Sequence, residues 1–257
     1  MAVNVDIVYK TVLLILNQQQ RGYMTPDEFN KVATQVQLTI FEGYASDLNQ
    51  QYRFPQNDTE YGNRIKNIEE NLQPFQKYIN NASLAGAITG INPFTLNVRV
   101  YPADTAGPLS DLYRLGSVIY RYTEIIQYAQ RKEITQLLLS PLTQPTKQFP
   151  IYVYEAGATT TPKNGLIYIY PATITTADDI NLSYLAKPAD VVWAFNTGAL
   201  GQYEYDAANS QDFTLQPTEQ TEIILRILAY AGIIIEDPSI VQAASQAVAT
   251  EDNNEKS

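Results

Sequence analysis

Arg21-Gly22-Tyr23-Met24-Thr25-Pro26-Asp27-Glu28-Phe29-Asn30 closes one helix and opens another within a single phrase. Gly22 suits the left-handed turn that ends a helix, and Arg21 places a cation beside the last carbonyls. Thr25 fits an N-cap, Pro26 the first helical position, and Glu28 the reciprocal partner of a capping box. Phe29, Ala33, Val36, Ile40, Tyr44 and Leu48 then recur at three- and four-residue steps, so one helical face is apolar as far as Gln51. The expectation is a helical hairpin with a well-defined corner.

On the N-terminal side, Val5, Val8, Val12 and Leu16 form an apolar stripe with Tyr9 and Leu13 beside it. A third pattern opens after Asp58 with Tyr61, Ile65, Ile68, Leu72, Phe75 and Ile79, the spacing of a bundle seam. Pro74 lies inside it and either kinks that helix or restarts a new one, because it removes a hydrogen bond and crowds the preceding turn.

Beyond residue 83 the periodicity changes. Leu96, Val98 and Val100 alternate with Asn97, Arg99 and Tyr101 up to Pro102, a half-buried strand. Residues 112–128 hold two strands, 133–139 a short helix stopped by Ser140-Pro141, and 151–154, 166–170 and 180–186 further strands, with a turn at Asn164-Gly165. Helix returns near Pro217 with Glu219 and Glu222 in its first turn, Ile223, Ile227 and Ala231 on one side and Gly232 to end it; Asp237-Pro238 starts a last helix to about Ala249. The expected fold class is α+β: a bundle formed by N- and C-terminal helices with an inserted antiparallel β module. The expected domains are residues 1–83 (with 212–250) as bundle, 84–200 as β module, 201–250 as C-terminal helices packed on the bundle, and 251–257 as a frayed acidic tail.

Composition removes whole classes of chemistry. The chain of 257 residues has no cysteine and no histidine. Thiolate nucleophiles, Ser–His–Asp machinery and Cys- or His-based metal sites are therefore excluded within it. The start lacks the layout of a signal peptide, and no apolar run is long enough to span a bilayer, so the expectation is a soluble protein made without export. Net charge is −10, and residues 201–257 hold ten acids against Arg226 and Lys256. That excess reads either as solubility with a frayed tail or as an acidic surface facing a lumen or a basic partner.

The candidate sites are weak. Adjacent acids occur at Asp27-Glu28, Glu69-Glu70, Asp178-Asp179, Glu236-Asp237 and Glu251-Asp252, but a glycosidase needs two carboxylates facing each other across a cleft. Asp104–Gly107 and Asp206–Asn209 lack the ligand spacing of a calcium loop and read as turns. Gly86, Gly90, Gly198 and Gly201 lack a phosphate-loop context. Arg99, Arg114, Arg121, Arg131 and Lys132 interleave with Tyr101, Tyr113, Tyr120, Tyr122 and Tyr128, a pattern that can bind single strands. The surrounding segment, 83–150, is only +2, too weakly basic to hold many phosphates. We expect no catalytic, cofactor-binding or metal site and no cofactor. Nineteen tyrosines suit contacts between subunits.

A resemblance supplies a function. Asp6–Lys10, Asn17, Arg21-Gly22-Tyr23, Thr25-Pro26, Glu28-Phe29-Asn30, Gln35, Gln37, Ile40-Phe41-Glu42 and Asp47-Leu48-Asn49 resemble the opening of neck or tail ring proteins of crAss-like phages. The likeness continues through Ser140-Pro141-Leu142, Pro145-Thr146, Pro150-Ile151-Tyr152, Ile169-Tyr170-Pro171, Tyr184, Lys187-Pro188 and Trp193, and ends in Ser210–Phe213 and Ile227–Gly232. It implies a non-enzymatic structural component of a short-tailed virion, a ring in the head–tail connector or tail barrel assembled in the bacterial cytoplasm. The partners it implies are further copies in a closed ring, commonly a dodecamer, the portal protein and other ring or tail proteins. Genomic DNA would pass the lumen without specific binding, and no membrane is involved. The competing expectations are a tail-associated receptor-binding module and a His-free carboxylate cell-wall hydrolase; lysis in a peptidoglycan zymogram would favour the hydrolase.

Overall fold

The computed structural model describes residues 2–18, 24–51, 59–80, 87–97, 109, 111–156, 165–198, 201–234 and 242–250. Its helices are α1 (Val5–Gln18), α2 (Pro26–Gln51), α3 (Thr59–Leu72), α4 (Arg131–Leu139), α5 (Gln220–Ile234) and α6 (242–250). Its strands are β1 (Gln76–Asn80), β2 (Ile88–Thr89), β3 (Phe94–Leu96), β4 (Leu112–Tyr120), β5 (Glu124–Tyr128), β6 (Ile151–Ala156), β7 (Gly165–Tyr170), β8 (Ile180–Ala186), β9 (Phe195–Thr197) and β10 (Tyr203–Tyr205). The fold is α+β, with helices from both ends of the chain packed together and a mostly antiparallel, eight-stranded curled sheet inserted between them in sequence. Contacts divide the chain into two compact units, Met1–Pro74 with Pro188–Ser257, and Phe75–Lys187.

The helical unit follows its apolar stripes. Val5, Val8, Val12 and Leu16 of α1 are fully buried, as are Phe29, Ala33 and Val36 of α2. Each Val, Leu or Phe side chain among them contributes roughly 1.5–3 kcal/mol on burial. Helix α5 packs on α1 and α2, burying Ile223, Ile227 and Ala231. The capping box of α2 forms: the Thr25 N–H donates to Glu28 Oε2 at 2.9 Å and the Glu28 N–H to Thr25 Oγ1 at 3.4 Å. The hairpin corner at residues 19–23 lies outside the described residues.

In the β unit the sheet order is β1-β8-β4-β5-β6-β7-β3-β2. Strand β8 reads buried at Ile180, Leu182, Tyr184 and Ala186, one face of a period-two pattern. Those residues join Val118, Ile126, Ile167, Ile169, Phe94 and Leu96 in one core. Strands β4 and β8 approach so closely that a Cβ on Gly116 would meet the Ser183 carbonyl oxygen at 3.0 Å. A register shift between Leu115 and Val118 accompanies this approach. Strand β5 and strand β6, joined through α4, pair in parallel through Gln127↔Ile151 and Tyr128↔Tyr152.

Three expectations need correction. The helical pattern through Ile79 ends at Leu72; a 3-10 turn, Gln73–Phe75, leads into β1. Pro74 cannot continue the donor ladder, and Phe75 at the end of the turn and Ile79 in β1 are both buried, so their spacing of four does not report a helix. Gly232 does not end α5, which runs through it to Ile234. The sheet is not purely antiparallel, since α4 provides a crossover that permits a parallel pair. The strand expected over 96–100 is seen only to Leu96, and the turn at Asn164 and the positions 235–241 lie outside the described residues.

Candidate functional site

Polar side chains of the helical unit converge on the segment 189–194. From α2, Asn30, Thr34 and Gln37 stand at successive turns. Asn30 Oδ1 accepts the Trp193 N–H at 2.7 Å and its Nδ2 donates to the Trp193 carbonyl at 3.3 Å. Thr34 Oγ1 accepts the Val191 N–H at 3.1 Å, and Gln37 Nε2 donates to the Ala189 carbonyl at 2.7 Å. Gln37 Oε1 also accepts the Thr214 N–H at 2.7 Å, which satisfies both ends of a buried amide. The helix thus offers an extended segment the partners that a neighbouring strand would otherwise supply.

Trp193 is the centre of this junction. Its Nε1 donates to Asp6 Oδ1 at 3.1 Å, and its ring lies 4.3 Å from that of Tyr9 and 5.7 Å from that of Tyr205. The segment 210–213 completes it. Ser210 Oγ accepts the Ala194 N–H at 3.0 Å, and Gln211 pairs with Val192. Asp212 Oδ1 accepts the Val5 N–H at 2.9 Å, and Phe213 pairs with Val3. Asn4 Oδ1 caps the next two amides, of Asp6 and Ile7. The α1 N-terminus is therefore capped both locally and from 207 residues away, which suits its dipole. Periodicity could not find this junction, because amides and hydroxyls on a helix look like a solvated face. The run Ser210-Gln211-Asp212-Phe213 was the visible signal.

Several of the candidate acids have structural partners. Glu28 caps α2, and its bonds to the Thr25 backbone and hydroxyl hold its carboxyl below the usual carboxylate range. Asp179 pairs with Arg121 at 3.1 Å, and Glu70 lies 3.7 Å from Lys66. Asp27 and Glu69 are exposed, whereas Glu236-Asp237, Glu251-Asp252 and Asp104–Gly107 lie outside the described residues. Asp206–Asn209 is a turn: Asp206 accepts from the Asn209 side chain at 2.6 Å and the Ala208 N–H at 3.0 Å, bonds that lower its pKa. Gly198 and Gly201 close the β9–β10 hairpin, Gly201 with a positive φ of 81° that glycine adopts without strain. Among the described residues, no group of three or more acids, His or Cys could hold a metal ion.

The Arg–Tyr set is dispersed. Arg121 is tied to Asp179, and Arg131 pairs with Glu155 at 3.2 Å and covers the Tyr168 ring. Arg114, Tyr113, Tyr122 and Tyr128 are exposed, Tyr120 is buried, and Arg99 and Tyr101 lie outside the described residues. Tyr184 is buried and donates to Asp111 at 3.0 Å, and these two effects hold its phenol well above the usual range. The C-terminal acids also serve the fold: among those described over 201–234 only Glu204 is exposed, while Glu219 and Glu222 are buried and Glu222 bonds Arg226. Sequence placed both glutamates in a first turn but could not reveal their burial.

No helix among the described residues is long and apolar enough to cross a membrane. Comparison with protein-family models and with curated proteins gives no match.

Proposed function

We propose that the chain is a ring component of a phage head–tail connector or tail barrel, linking the portal side to the distal tail around the genome exit channel. The observation that carries this reading is where the residues of the resemblance fall. Asp6, Tyr9, Thr25, Glu28, Phe29, Asn30, Gln37, Trp193 and Ser210–Phe213 include the residues that tie together the chain segments of the helical unit. The likeness to ring proteins is thus a likeness in residues that specify a scaffold.

The surface is compatible with a structural role. Tyr78, Tyr113, Tyr122, Tyr128 and Tyr203 are exposed, and large amphipathic rings give contact area at low entropy cost. A closed ring needs two different complementary faces on each subunit. An acidic lumen would repel phosphates and let DNA slide; of the described acids over 201–234, Glu204 is the exposed position available for such a lining. The test is cryo-electron microscopy of the chain mixed with the portal assembly of the same phage. A closed ring seated on the portal, commonly twelve-fold, is expected. Failure to dock, with hydrolysis of peptidoglycan by the lone chain, would defeat the reading.

A further inference from the structure

One end of the β unit presents apolar side chains to solvent from an ordered frame. Ile125 of β5 is 68% exposed and pairs across the hairpin with half-buried Ile119. Phe149 is 74% exposed, and the carbonyl of Pro150 beside it accepts the Gln127 N–H at 3.0 Å. Ile125 and Phe149 each stand two residues before the pair Gln127↔Ile151, so they hold neighbouring positions at the same end of the β5–β6 pair. Leu142, in the same connection between α4 and β6, is 93% exposed on a turn closed by the Thr143 N–H on the Ser140 carbonyl at 3.2 Å. Apolar exposure concentrated on a fixed frame marks an interaction surface.

The β4–β5 turn beside Ile125 is strained. The Thr123 N–H donates to the Tyr120 carbonyl at 3.2 Å, and the two central residues, Arg121 and Tyr122, have φ of 49° and 64°. That geometry favours Asn-Gly, and bulky side chains adopt it only at a cost. Arg121 has a reason within the chain: its N–H donates to the Asp179 carbonyl at 2.8 Å and its Nε to the Asp179 carboxylate at 3.1 Å. Tyr122 has none, being exposed and without a hydrogen bond or ring contact among the described residues. Strain kept by a side chain with no internal partner points to a partner outside the chain.

The charges around this end divide by side. The order β8-β4-β5-β6 places the turn and the approach to β8 on one side of β5 and the approach to β6 on the other. Residues 120–124 with 177–180 hold one base and three acids, and residues 131–149 hold three bases and one acid. Arg121 and Arg131 are engaged by Asp179 and Glu155. Glu124 and Asp178 are then the acids of the first side, and Lys132 and Lys147, both exposed, the cations of the second.

We infer that this end of the β unit is a two-fold contact surface for a second copy of the chain, Ile125 and Phe149 of each copy packing against those of the other. A two-fold axis along the strands brings the acidic side of one copy against the lysine side of its partner, so the surface complements itself. The acids disfavour nucleic acid or an anionic membrane as the occupant. A two-fold contact cannot propagate around a ring, so this surface is separate from the two faces that the ring reading requires and does not rest on it.

The test uses the full chain, which has no cysteine. Ile125→Cys is expected to oxidise to a covalent dimer and no further, about tenfold faster than Leu14→Cys, an exposed control on α1. Ile125→Asp should weaken dimerisation about tenfold by sedimentation. Lys147→Glu and Asp178→Lys should each weaken it about fivefold, and K147E/D178K should restore it, which damage to the fold would not do. Tyr122→Gly should weaken it while amide exchange in β4 and β5 slows, because the turn is relieved. A chain that stays monomeric at about 1 mM, cross-linking no faster than the control, or no rescue in K147E/D178K would overturn the contact. Unchanged dimerisation of Tyr122→Gly would overturn it too. Binding to phosphatidylglycerol vesicles that Ile125→Asp abolishes would overturn it in favour of a lipid surface.

Discussion

The helical unit and the β unit are held together by different means. The β unit is continuous in sequence, and its eight strands are joined by backbone ladders over one apolar core. The helical unit is assembled from two ends of the chain and closed by individual side chains, such as Asn30, Gln37 and Asp212, each bonding backbone more than 150 residues away. A ladder spreads its stabilisation over many equivalent bonds; a junction concentrates it in a few that have no substitute. Point changes should therefore be severe and local in the helical unit and graded in the β unit.

Trp193→Ala is the strongest attempt to break that contrast. It removes a buried ring and the partner of Asp6, and should cost the helical unit about 3–5 kcal/mol. Amide exchange should accelerate in α1 and α2 while β8 stays protected. Equal loss in both units would erase the distinction. Gln37→Leu is expected to follow at roughly 2–3 kcal/mol, because it strands the Ala189 carbonyl and the Thr214 N–H. Trp193, the only tryptophan, reports this unfolding by fluorescence at lower denaturant.

Gly116→Ala probes the other side. Its Cβ would press on the Ser183 backbone, and overpacking of this kind costs about 1–3 kcal/mol. Exchange should rise in β4 and β8 with the tryptophan signal at its original midpoint. The smallest effect is expected at the α2 cap, where Thr25→Ala costs about 1 kcal/mol. The cap also sets a pH response. The Glu28 pKa is lowered on folding, so its contribution is present above the unfolded carboxylate value and is lost as pH falls through the folded one. Thermal melts of Glu28→Gln should show a shallower acid limb than the unaltered chain, and identical limbs would remove the cap from the account.

What could be read from sequence follows the same division. Stripes such as Val5-Val8-Val12-Leu16 and alternations such as 180–186 report which face is apolar, and these faces are buried as expected. The capping box at Thr25 is local chemistry and was legible for that reason. Asn30, Thr34 and Gln37 were not, because their partners at 189–193 are set by the tertiary path. Strand β1 was hidden because buried Phe75, in the turn before it, and buried Ile79 continue the four-residue spacing of a helical stripe, and the β5–β6 pairing by its dependence on where α4 returns the chain. Glu219 and Glu222 carried the right helix-start signal, but periodicity assigns no burial to a charge. Of the weak site candidates, Glu28 serves as a cap, Asp206 as a turn residue, and Glu70, Asp179, Arg121 and Arg131 stand in ion pairs.

The central claim is that this chain acts by shape, as one of many identical wedges in a circular wall of a virion. The most direct measurement is its copy number in purified particles by quantitative mass spectrometry against the portal protein. The account predicts an integer ratio to the portal set by ring symmetry, equal copies if both are twelve-fold. Its absence from particles, or its presence at a small fraction of the portal amount, would contradict the account.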